Sequence, residues 1–403
     1  MPDIGIVGAG ISGLQLALRL QQVGVTTKVY AERGPDELAA GPPPNLAVRF
    51  EHTRARERGL GVAPWDSPEY GMAGATFSAH GDATLGFWGR LREPGSAVDF
   101  RVYLPHLMAE YENRGGAVEI HPMSAETVAT LANRHDLMVV ASGRSSVTGL
   151  FPRDPDRSPY TEPQRMITAG LYHGIGRDPR DGLHFRLIPE VGEIFSIRML
   201  TTEGPVAGVN IEAIPGGPLA HLAELPLDEL NQAVLAAFTE YVPGLRERID
   251  EREFGLARPN DLLRGAITPT VRAGWAALPG NKYAMAVGDA WVLNDPATGQ
   301  GANLASHSAF ELAEEIIAGG PFDEAFCRKA EQRMWEFARP VTEWTNAFLQ
   351  PPPPHALAIL AAASKDERVA DGFIENFNDP VVQWNALGTP EGAVTWLRSV
   401  RQP

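Results

Sequence analysis

The 403-residue sequence contains a single cysteine, Cys327, so it cannot form an intrachain disulfide or a cluster of thiolate metal ligands. Basic residues are also scarce: 35 Lys and Arg stand against 50 Asp and Glu, which gives a net charge of -15. Nucleic acids and anionic membranes bind basic surfaces, so this balance argues against both as partners. The acidic excess is expected to keep the protein in solution.

Long apolar runs are absent as well. No uncharged stretch approaches the ~18 apolar residues that a membrane span needs. The first ten residues, MPDIGIVGAG, lack the basic and apolar regions of a signal peptide. No two of the ten histidines stand at the spacing of metal ligands. These observations predict a cytoplasmic protein without a metal site.

The sequence opens with a βαβ pattern around the glycine turn GAGISG. An apolar run, residues 4–7, ends at Gly8, a helical pattern follows, and a second β-rich run ends at Glu32, 24 residues after Gly8. In such a turn the first glycine permits the tight bend, Gly10 lets a pyrophosphate approach, and Gly13 lets the helix pack on the strand. Glu32 would accept hydrogen bonds from ribose hydroxyls. A dinucleotide site is therefore predicted, but the unit does not distinguish FAD from NAD.

Farther along the chain, residues 39–64 are expected to lack regular structure, with the charged run 54–58 forming a solvated face. A helix is predicted at 99–114, and a buried strand at 136–143. Period-two alternation between 166 and 213 predicts an antiparallel sheet with strands at 183–188, 194–200 and 206–213. A helix at 228–241 and a buried strand at 283–287 follow. Everything after Gly301 is expected to be helical, broken once by Pro351–Pro354, a turn or a polyproline ligand.

A second glycine turn, GDAWVLNDPATGQGAN at 288–303, resembles the Gly-Asp motif of aromatic-hydroxylase-like flavoproteins. In those proteins the aspartate, here Asp289, holds the ribityl chain of FAD. The loop that follows leads into a helix aimed at the flavin ring, with Pro296, Gly299 and Gly301 at the matching positions. Reduced flavin is an anion, and backbone N–H groups at residues 301–303 with a helix dipole behind them would stabilise it.

The source of reduced flavin is suggested by a third position. Hydroxylases of this kind that use NADPH usually carry an Asp-Gly pair after the strand that precedes the substrate domain. Here Ser142 precedes Gly143 instead, and no second βαβ fingerprint occurs. Both features favour reduced flavin made by another protein; the alternative is that the motif changed while NADPH use persisted.

Nearly the whole chain resembles the styrene and indole monooxygenases, the oxygenase components of two-component FAD-dependent systems. The resemblance implies a homodimer, a separate NADH-dependent flavin reductase, and reduced FAD that reacts with O2 to give a C4a-hydroperoxide. It is carried by the glycine turn and by these further segments: Glu32-Arg33, Ala97-Val-Asp-Phe-Arg101, Ser158-Pro, Pro163-Gln-Arg165, Asp295-Pro296, Gly299-Gln-Gly-Ala-Asn303, Trp344-Thr-Asn346 and Asn376-Phe-Asn378.

The fold that this implies is α/β and aromatic-hydroxylase-like (PHBH-type). A Rossmann FAD-binding domain would comprise residues 1–150 and 265–330, with 40–95 contributing pocket wall. Residues 151–264 would form a substrate domain with an antiparallel sheet, and 331–403 a helical C-terminal region.

The resemblance also implies site residues. Asn45, Pro296 and Gln300 would be catalytic, and a small aromatic substrate would contact Asn45, Ala47, Arg49, Met72 and Ala75. FAD would be bound by Gly8, Gly10, Gly13, Glu32, Arg33, Arg101, Asp289, Pro296, Gly299, Gly301, Ala302 and Asn303.

The pocket wall departs from the family pattern. Ala47 and Arg49 match neither the styrene nor the indole enzymes, and Met72 and Ala75 replace aromatic or histidine side chains, which predicts a wider and less aromatic pocket. Arg49 either points to solvent or faces the pocket, where it would bind an anionic group of the substrate.

The functional hypothesis is an FAD-dependent monooxygenase that epoxidises or oxygenates a styrene- or indole-like alkene, or a related heterocycle or sulfide. Two alternatives stay open: a self-contained NADPH-dependent aromatic hydroxylase, and a non-oxygenating carrier of reduced flavin.

Overall fold

The structure, a computed structural model, describes residues 2–66, 71–80 and 82–402. Its strands are β1 (Asp3–Val7), β2 (Thr26–Ala31), β3 (Val48–Arg49), β4 (Gly71–Ala79), β5 (Asp82–Ala97), β6 (Ala117–Ile120), β7 (Leu137–Val140), β8 (Met166–His173), β9 (Leu183–Ile188), β10 (Gly192–Thr201), β11 (Gly204–Ala213), β12 (Gly255–Leu256), β13 (Leu262–Ala266), β14 (Thr270–Val271), β15 (Trp275–Leu278), β16 (Lys282–Ala286) and β17 (Val292–Leu293).

The helices in the same ranges are α1 (Ile11–Gln22), α2 (Pro35–Ala40), α3 (Glu51–Leu60), α4 (Phe100–Asn113), α5 (Ala125–Leu131), α6 (Ser145–Thr148), α7 (Leu227–Tyr241), α8 (Pro243–Arg246), α9 (Gly301–Ala318), α10 (Glu324–Phe348), α11 (Pro354–Ala363), α12 (Glu367–Glu375), α13 (Pro380–Leu387) and α14 (Pro390–Arg401). No helix of the described chain is both long and apolar enough to cross a membrane.

The first sheet has the strand order β15-β16-β7-β1-β2-β6 and is parallel except for β15 at its edge. β7 consists of four buried apolar residues, and Ile4, Ile6 and Val7 of β1 are fully buried, as is typical of a parallel sheet covered on both faces. The carboxyl ends of β1, β7 and β16 lie side by side, so the turns that follow these three strands meet at one edge. The predicted α/β fold with a Rossmann βαβ unit is confirmed.

The second sheet has the order β12-β8-β11-β10-β9-β4-β5-β3, with β13 also pairing with β8. Neighbours are antiparallel except β4 and β9, which run parallel. One face packs on α7 through Ile194, Ile211 and Phe238. The strands predicted between 183 and 213 are confirmed, because strict alternation reflects a sheet with two different faces.

The domain division stays a prediction, but the positions of the strands in the two sheets can be compared with it. Strands β4 and β5, which belong to the predicted pocket-wall segment 40–95, lie in the second sheet beside the strands of 151–264 rather than in the first. Residues 67–70 and 81 of that segment lie outside the described residues.

The expected lack of regular structure at 39–64 is wrong, because α3 occupies Glu51–Leu60. Its buried residues are Thr53, Arg54, Glu57 and Leu60, at helical spacing but mostly polar. A search for apolar periodicity cannot detect such a helix. The charged run is consequently not a uniformly solvated face, since Arg54 is buried and binds the carbonyl of Pro94 and the carboxylate of Asp66.

Candidate active site

A cavity of about 1440 Å³ lies between the two sheets. The turns at the carboxyl ends of β1, β2, β7 and β16 line one side, and the face of the second sheet that α7 leaves open lines the other. Open parallel sheets bind their ligands at this edge. The connection from α10 to α11, with Pro351–Pro353, lines the remaining side.

The first glycine turn is built for close backbone contact. Gly8 has φ of +112°, and a Cβ on it would lie 2.9 Å from the carbonyl carbon of Ala141. A Cβ on Gly13 would lie 2.0 Å from the oxygen of Gly8, so α1 can pack on β1 only if this residue is glycine. Gly10 differs: its nearest neighbour would be 3.9 Å away, and the space beside it belongs to the cavity. The turn therefore offers an open cradle at the amino end of α1, where unpaired N–H groups and the helix dipole favour phosphate.

Beside this cradle, Glu32 and Arg33 at the end of β2 line the cavity, as expected for groups that bind adenosine ribose. One oxygen of Glu32 is already engaged, because Oε2 lies 2.8 Å from Nη1 of Arg144. Arg144 belongs to the Ser142-Gly143-Arg144 turn after β7, which also lines the cavity. The residues of this turn line the cavity, although none of them was predicted as a site residue.

Asp289 stands in the middle of the cavity wall, next to that turn. Its side chain is open to the cavity, and a Cβ on Gly143 would lie only 2.8 Å from Cβ of Asp289, so a glycine is needed for the two turns to touch. Desolvation by the surrounding protein raises the pKa of Asp289, opposed by the charge of Arg272. Among the described residues no hydrogen bond to this carboxylate is formed, so it is free to accept hydroxyl donors from a ligand.

The second glycine turn forms the far end of the cavity. Pro296, Gly299, Gly301 and Ala302 line it, and Gly299 has φ of +64°, a left-handed conformation that glycine adopts without strain. The 18-residue helix α9 begins at Gly301. The first N–H groups of a helix have no partner within it, so this end of the cavity presents backbone donors and the positive end of a dipole. The residues present therefore suit a dinucleotide whose far end carries negative charge, as reduced FAD does.

Two residues predicted at this turn point elsewhere. Gln300 is buried, and its Nε2 donates to the carbonyl of Phe377 at 3.1 Å. Oδ1 of Asn303 accepts hydrogen bonds from the N–H of Phe50 and the hydroxyl of Thr53, both at 2.9 Å. Its Nδ2 donates to the backbone carbonyls of Val48 and Gly299. Neither side chain lines the cavity. Asn303 instead ties the wall segment around residues 48–53 to the start of α9.

Arg101 is likewise not at the cavity. Its guanidinium is buried between Asp99, at 2.6 Å, and Asp261, at 2.5 Å. Asp99 caps α4 through the N–H of Arg101, so the three residues join α4 to the loop before β13. A direct contact between Arg101 and the cofactor does not follow from this position.

Both predicted orientations of Arg49 are wrong, since its side chain faces neither solvent nor the cavity. It is 1% exposed, Nη1 lies 3.1 Å from Oε1 of Glu57, and Nη2 donates to the hydroxyl of Ser96 at 3.2 Å. The guanidinium also lies 4.5 Å from the ring centre of Tyr103, whose hydroxyl donates to Glu57. Burial raises the pKa of Glu57, and the charge of Arg49 opposes that rise. Arg49 thus serves the packing of α3, which the sequence analysis did not predict.

Of the other predicted substrate contacts, three line the cavity and one does not. Asn45, Ala47 and Ala75 line the cavity, whereas Met72 packs in the core beneath the second sheet. Oδ1 of Asn45 is buried without a partner among the described residues, so this amide retains unused hydrogen-bonding capacity beside the cavity.

The open face of the second sheet supplies an aromatic wall. Phe77, Phe185 and Phe195 stand directly opposite one another on β4, β9 and β10, with ring centres 5.1 and 4.9 Å apart. Phe348 of α10 adds a ring 5.5 Å from Phe185. The cavity is therefore rich in aromatic side chains, although Met72 and Ala75, from which a less aromatic pocket was predicted, are not aromatic themselves. The alternation of the sequence could have predicted that these rings share one face of the sheet. It could not have predicted that this face lies opposite the two glycine turns.

Among the described residues, no group of three or more His, Cys, Asp or Glu side chains could hold a metal ion.

Comparison with known proteins identifies the family. The model described as "Styrene monooxygenase A putative substrate binding domain" matches residues 143–248. Styrene monooxygenase StyA of Pseudomonas fluorescens is 36% identical over 401 residues, which is 98% of this chain and 97% of the relative. A StyA from another Pseudomonas is equally similar. The chain belongs to the styrene monooxygenase family. It is therefore a flavin-dependent monooxygenase that uses FAD and O2.

Solved structures agree on the fold. The flavin-dependent brominase Bmp2 superposes with a TM-score of 0.71 at 13% identity, covering 99% of both chains. p-Nitrophenol 4-monooxygenase PnpA of Pseudomonas putida gives a TM-score of 0.67 at 15% identity, covering 94% of this chain and 99% of the other. At such identities the similarity shows the shared aromatic-hydroxylase-like architecture alone.

Proposed function

We propose that this styrene monooxygenase family member is the oxygenase of a two-component system. It would receive reduced FAD from a separate NADH-dependent flavin reductase and oxygenate a styrene- or indole-like alkene, or a related heterocycle or sulfide, by epoxidation where a double bond is offered. The observation that carries the proposal is the cavity itself. One end has a phosphate cradle, the other has backbone donors suited to an anionic ring, and an aromatic wall faces those donors.

Within this proposal the chain's residues have distinct tasks. Gly8, Gly10 and Gly13 shape the phosphate cradle, and Glu32 with Arg33 binds the adenosine end. Asp289 holds the ribityl hydroxyls. Residues 296–302 bind the ring, which supplies the chemistry of oxygen activation when it is present.

The aromatic wall of the cavity would bind the substrate and exclude water. Phe77, Phe185 and Phe195 would hold a small aromatic molecule by apolar contact, and such a surface keeps the reacting centre dry. Asn45, which lines the cavity, would be the polar group between the ring and this wall. Gln300 and Asn303 act indirectly in this proposal, by holding the turn and the wall segment in place.

The same proposal includes a homodimer, which the family resemblance implies, and a cytoplasmic location.

The supply of electrons is testable without any substrate. We expect that NADH or NADPH, added anaerobically to protein loaded with oxidised FAD, will leave the flavin absorbance unchanged over minutes. Adding a catalytic amount of an NADH-dependent flavin reductase should bleach it. Ser142 in place of the usual aspartate supports this expectation. Prompt bleaching by NADPH alone would instead identify a self-contained hydroxylase.

A further inference from the structure

Behind the second glycine turn lies a buried group of charged side chains that none of the roles above uses. Arg165, Glu193, Glu212 and Asp295 are each 5% exposed or less. Glu193 and Glu212 stand directly opposite on β10 and β11, on the face that meets the cavity. Asp295 immediately precedes Pro296, so this group connects the second sheet with the turn at the ring end.

The only cation of the group is already paired. Nε and Nη2 of Arg165 lie 2.7 and 2.8 Å from the two oxygens of Glu193, a bidentate contact. Among the described residues, Arg165 and Glu193 are the other charged groups that act on Glu212 and Asp295. Three buried carboxyl groups therefore share one guanidinium, and burying that much unpaired negative charge is unfavourable.

The carboxyl groups of Glu212 and Asp295 lie close enough to interact, and each changes the pKa of the other. Oε1 of Glu212 accepts from Nδ2 of Asn210 at 2.5 Å, and Oδ1 of Asp295 accepts from the N–H of Ala297 at 3.1 Å. Oε2 of Glu212 and Oδ2 of Asp295 remain; both are buried, and neither has a hydrogen-bond partner among the described residues. Two ionised carboxylates are both acceptors, so a hydrogen bond between them requires a proton on one. Burial is the main cause that raises the pKa of both groups.

An independent feature shows that the same turn faces a ligand. Asn294, next to Asp295, lines the cavity and is 8% exposed, yet neither atom of its amide has a partner among the described residues. Buried amides without partners are rare in proteins and mark a place where a bound group completes the hydrogen bonds.

We propose that Glu212 and Asp295 share one proton between Oε2 and Oδ2, and that this pair positions the ring-binding turn for the reduced, anionic form of FAD. The proposal rests on the proposed function in taking reduced FAD as the ligand. With the proton in place, the pair carries one negative charge, fixes Asp295 as the cap of residues 296–298, and joins the turn to the substrate-side sheet. Without Glu212, the net charge behind the ring site would stay the same, but Asp295 would lose the hydrogen bond that fixes it. The backbone donors of the turn would then no longer be held in place for an anionic ring.

The first consequence concerns folding. A carboxyl whose pKa is raised in the folded state takes up a proton on folding, so its contribution to stability is present at low pH and is lost as pH rises toward the folded pKa. Glu212→Gln keeps a hydrogen-bond donor for Asp295 but cannot titrate. We therefore expect the ratio of the unfolding constant of wild type to that of Glu212→Gln to rise with pH above the ordinary glutamate pKa, with a limiting slope of about tenfold per pH unit. Glu229→Gln, at an exposed position on α7, is the control and should show a constant ratio.

The second consequence concerns binding. Spectral titrations with oxidised FAD and with photoreduced FAD under nitrogen give the two dissociation constants. Glu212→Ala should weaken binding of reduced FAD at least about tenfold more than binding of oxidised FAD, the scale of 1.4 kcal/mol. Glu212→Gln should restore the wild-type ratio of the two constants within about threefold, which a merely structural role would not require.

The outcomes separate the two proposals. If Glu212→Gln leaves the pH slope of unfolding unchanged, or if Glu212→Ala weakens both redox forms equally, the shared proton or its positioning role is refuted. Asp295→Asn, which also removes one titrating group and keeps the hydrogen bond, replaces Glu212→Gln if that variant does not fold. If both expectations hold but photoreduced FAD yields no oxygenated product, the proposed function fails while the pair stands.

Discussion

Gly10→Ala is expected to fold normally and to bind FAD at least about tenfold more weakly, the equivalent of 1.4 kcal/mol. The backbone of Gly10 has φ of -81°, which alanine adopts without strain, and the new methyl group would find its nearest protein atom 3.9 Å away. The same methyl group would occupy the cavity where the pyrophosphate must approach α1. Fluorescence titration with FAD, beside a thermal unfolding curve of the apoprotein, measures both effects.

The control is Gly149→Ala. Gly149 also has ordinary dihedral angles and open space for a Cβ, but it is exposed and does not line the cavity. This variant should match wild type in FAD affinity. Unchanged FAD binding by Gly10→Ala would show that the first glycine turn does not hold the pyrophosphate.

Arg49→Met is expected to lower the free energy of unfolding by roughly 3–5 kcal/mol, because it leaves Glu57 as a buried carboxylate without its partner. Arg49 also opposes the burial that raises the pKa of Glu57, so its removal should raise that pKa further. A raised pKa in the folded state costs stability as pH increases, so the deficit should grow as the pH rises above the ordinary glutamate pKa. Urea unfolding at several pH values measures it.

Arg49→Met/Glu57→Gln is the matched variant for this pair. Removing the second charge should restore part of the lost stability and abolish the pH dependence of the deficit. The preference between acidic and neutral substrates should be the same in all three proteins, because Arg49 does not line the cavity. A loss below about 1 kcal/mol, the scale of an exposed pair, would contradict the buried ion pair.

Much of the fold could be predicted because its signals are local. Three of these signals lie within 30 residues: the apolar run of β1, the glycine turn and the acidic residue at the end of β2. The need for glycine in the turn is confirmed at Gly8 and Gly13, where a Cβ would clash with the backbone. The alternation between 183 and 213 gave the strands of the second sheet for the same reason. α3 was missed since its buried face is formed by Thr53, Arg54 and Glu57, which no apolar pattern reveals.

The positions of individual polar side chains depended on partners far away in sequence. Arg101 binds Asp261, 160 residues away, and Asn303 binds Val48, 255 residues away. Gln300 reaches Phe377, and Glu212 of β11 interacts with Asp295 in the second glycine turn. A single sequence does not reveal these pairings. It could therefore predict which segments lie near the cavity, but not which of their polar side chains are held by distant partners instead of facing the cavity. Backbone positions such as Gly8, Gly10 and Gly299 were the safer predictions, because their role does not depend on a distant partner.

The most direct test of the proposed oxygenase is a single turnover without any reductase. Protein is mixed anaerobically with one equivalent of photoreduced FAD and styrene or indole, and ¹⁸O2 is then admitted. We predict that the product, the epoxide in the case of styrene, contains one ¹⁸O atom, in a yield close to the amount of enzyme-bound flavin. Quantitative release of hydrogen peroxide with no labelled product from either substrate, or from a related sulfide, would contradict the assignment and favour a carrier of reduced flavin.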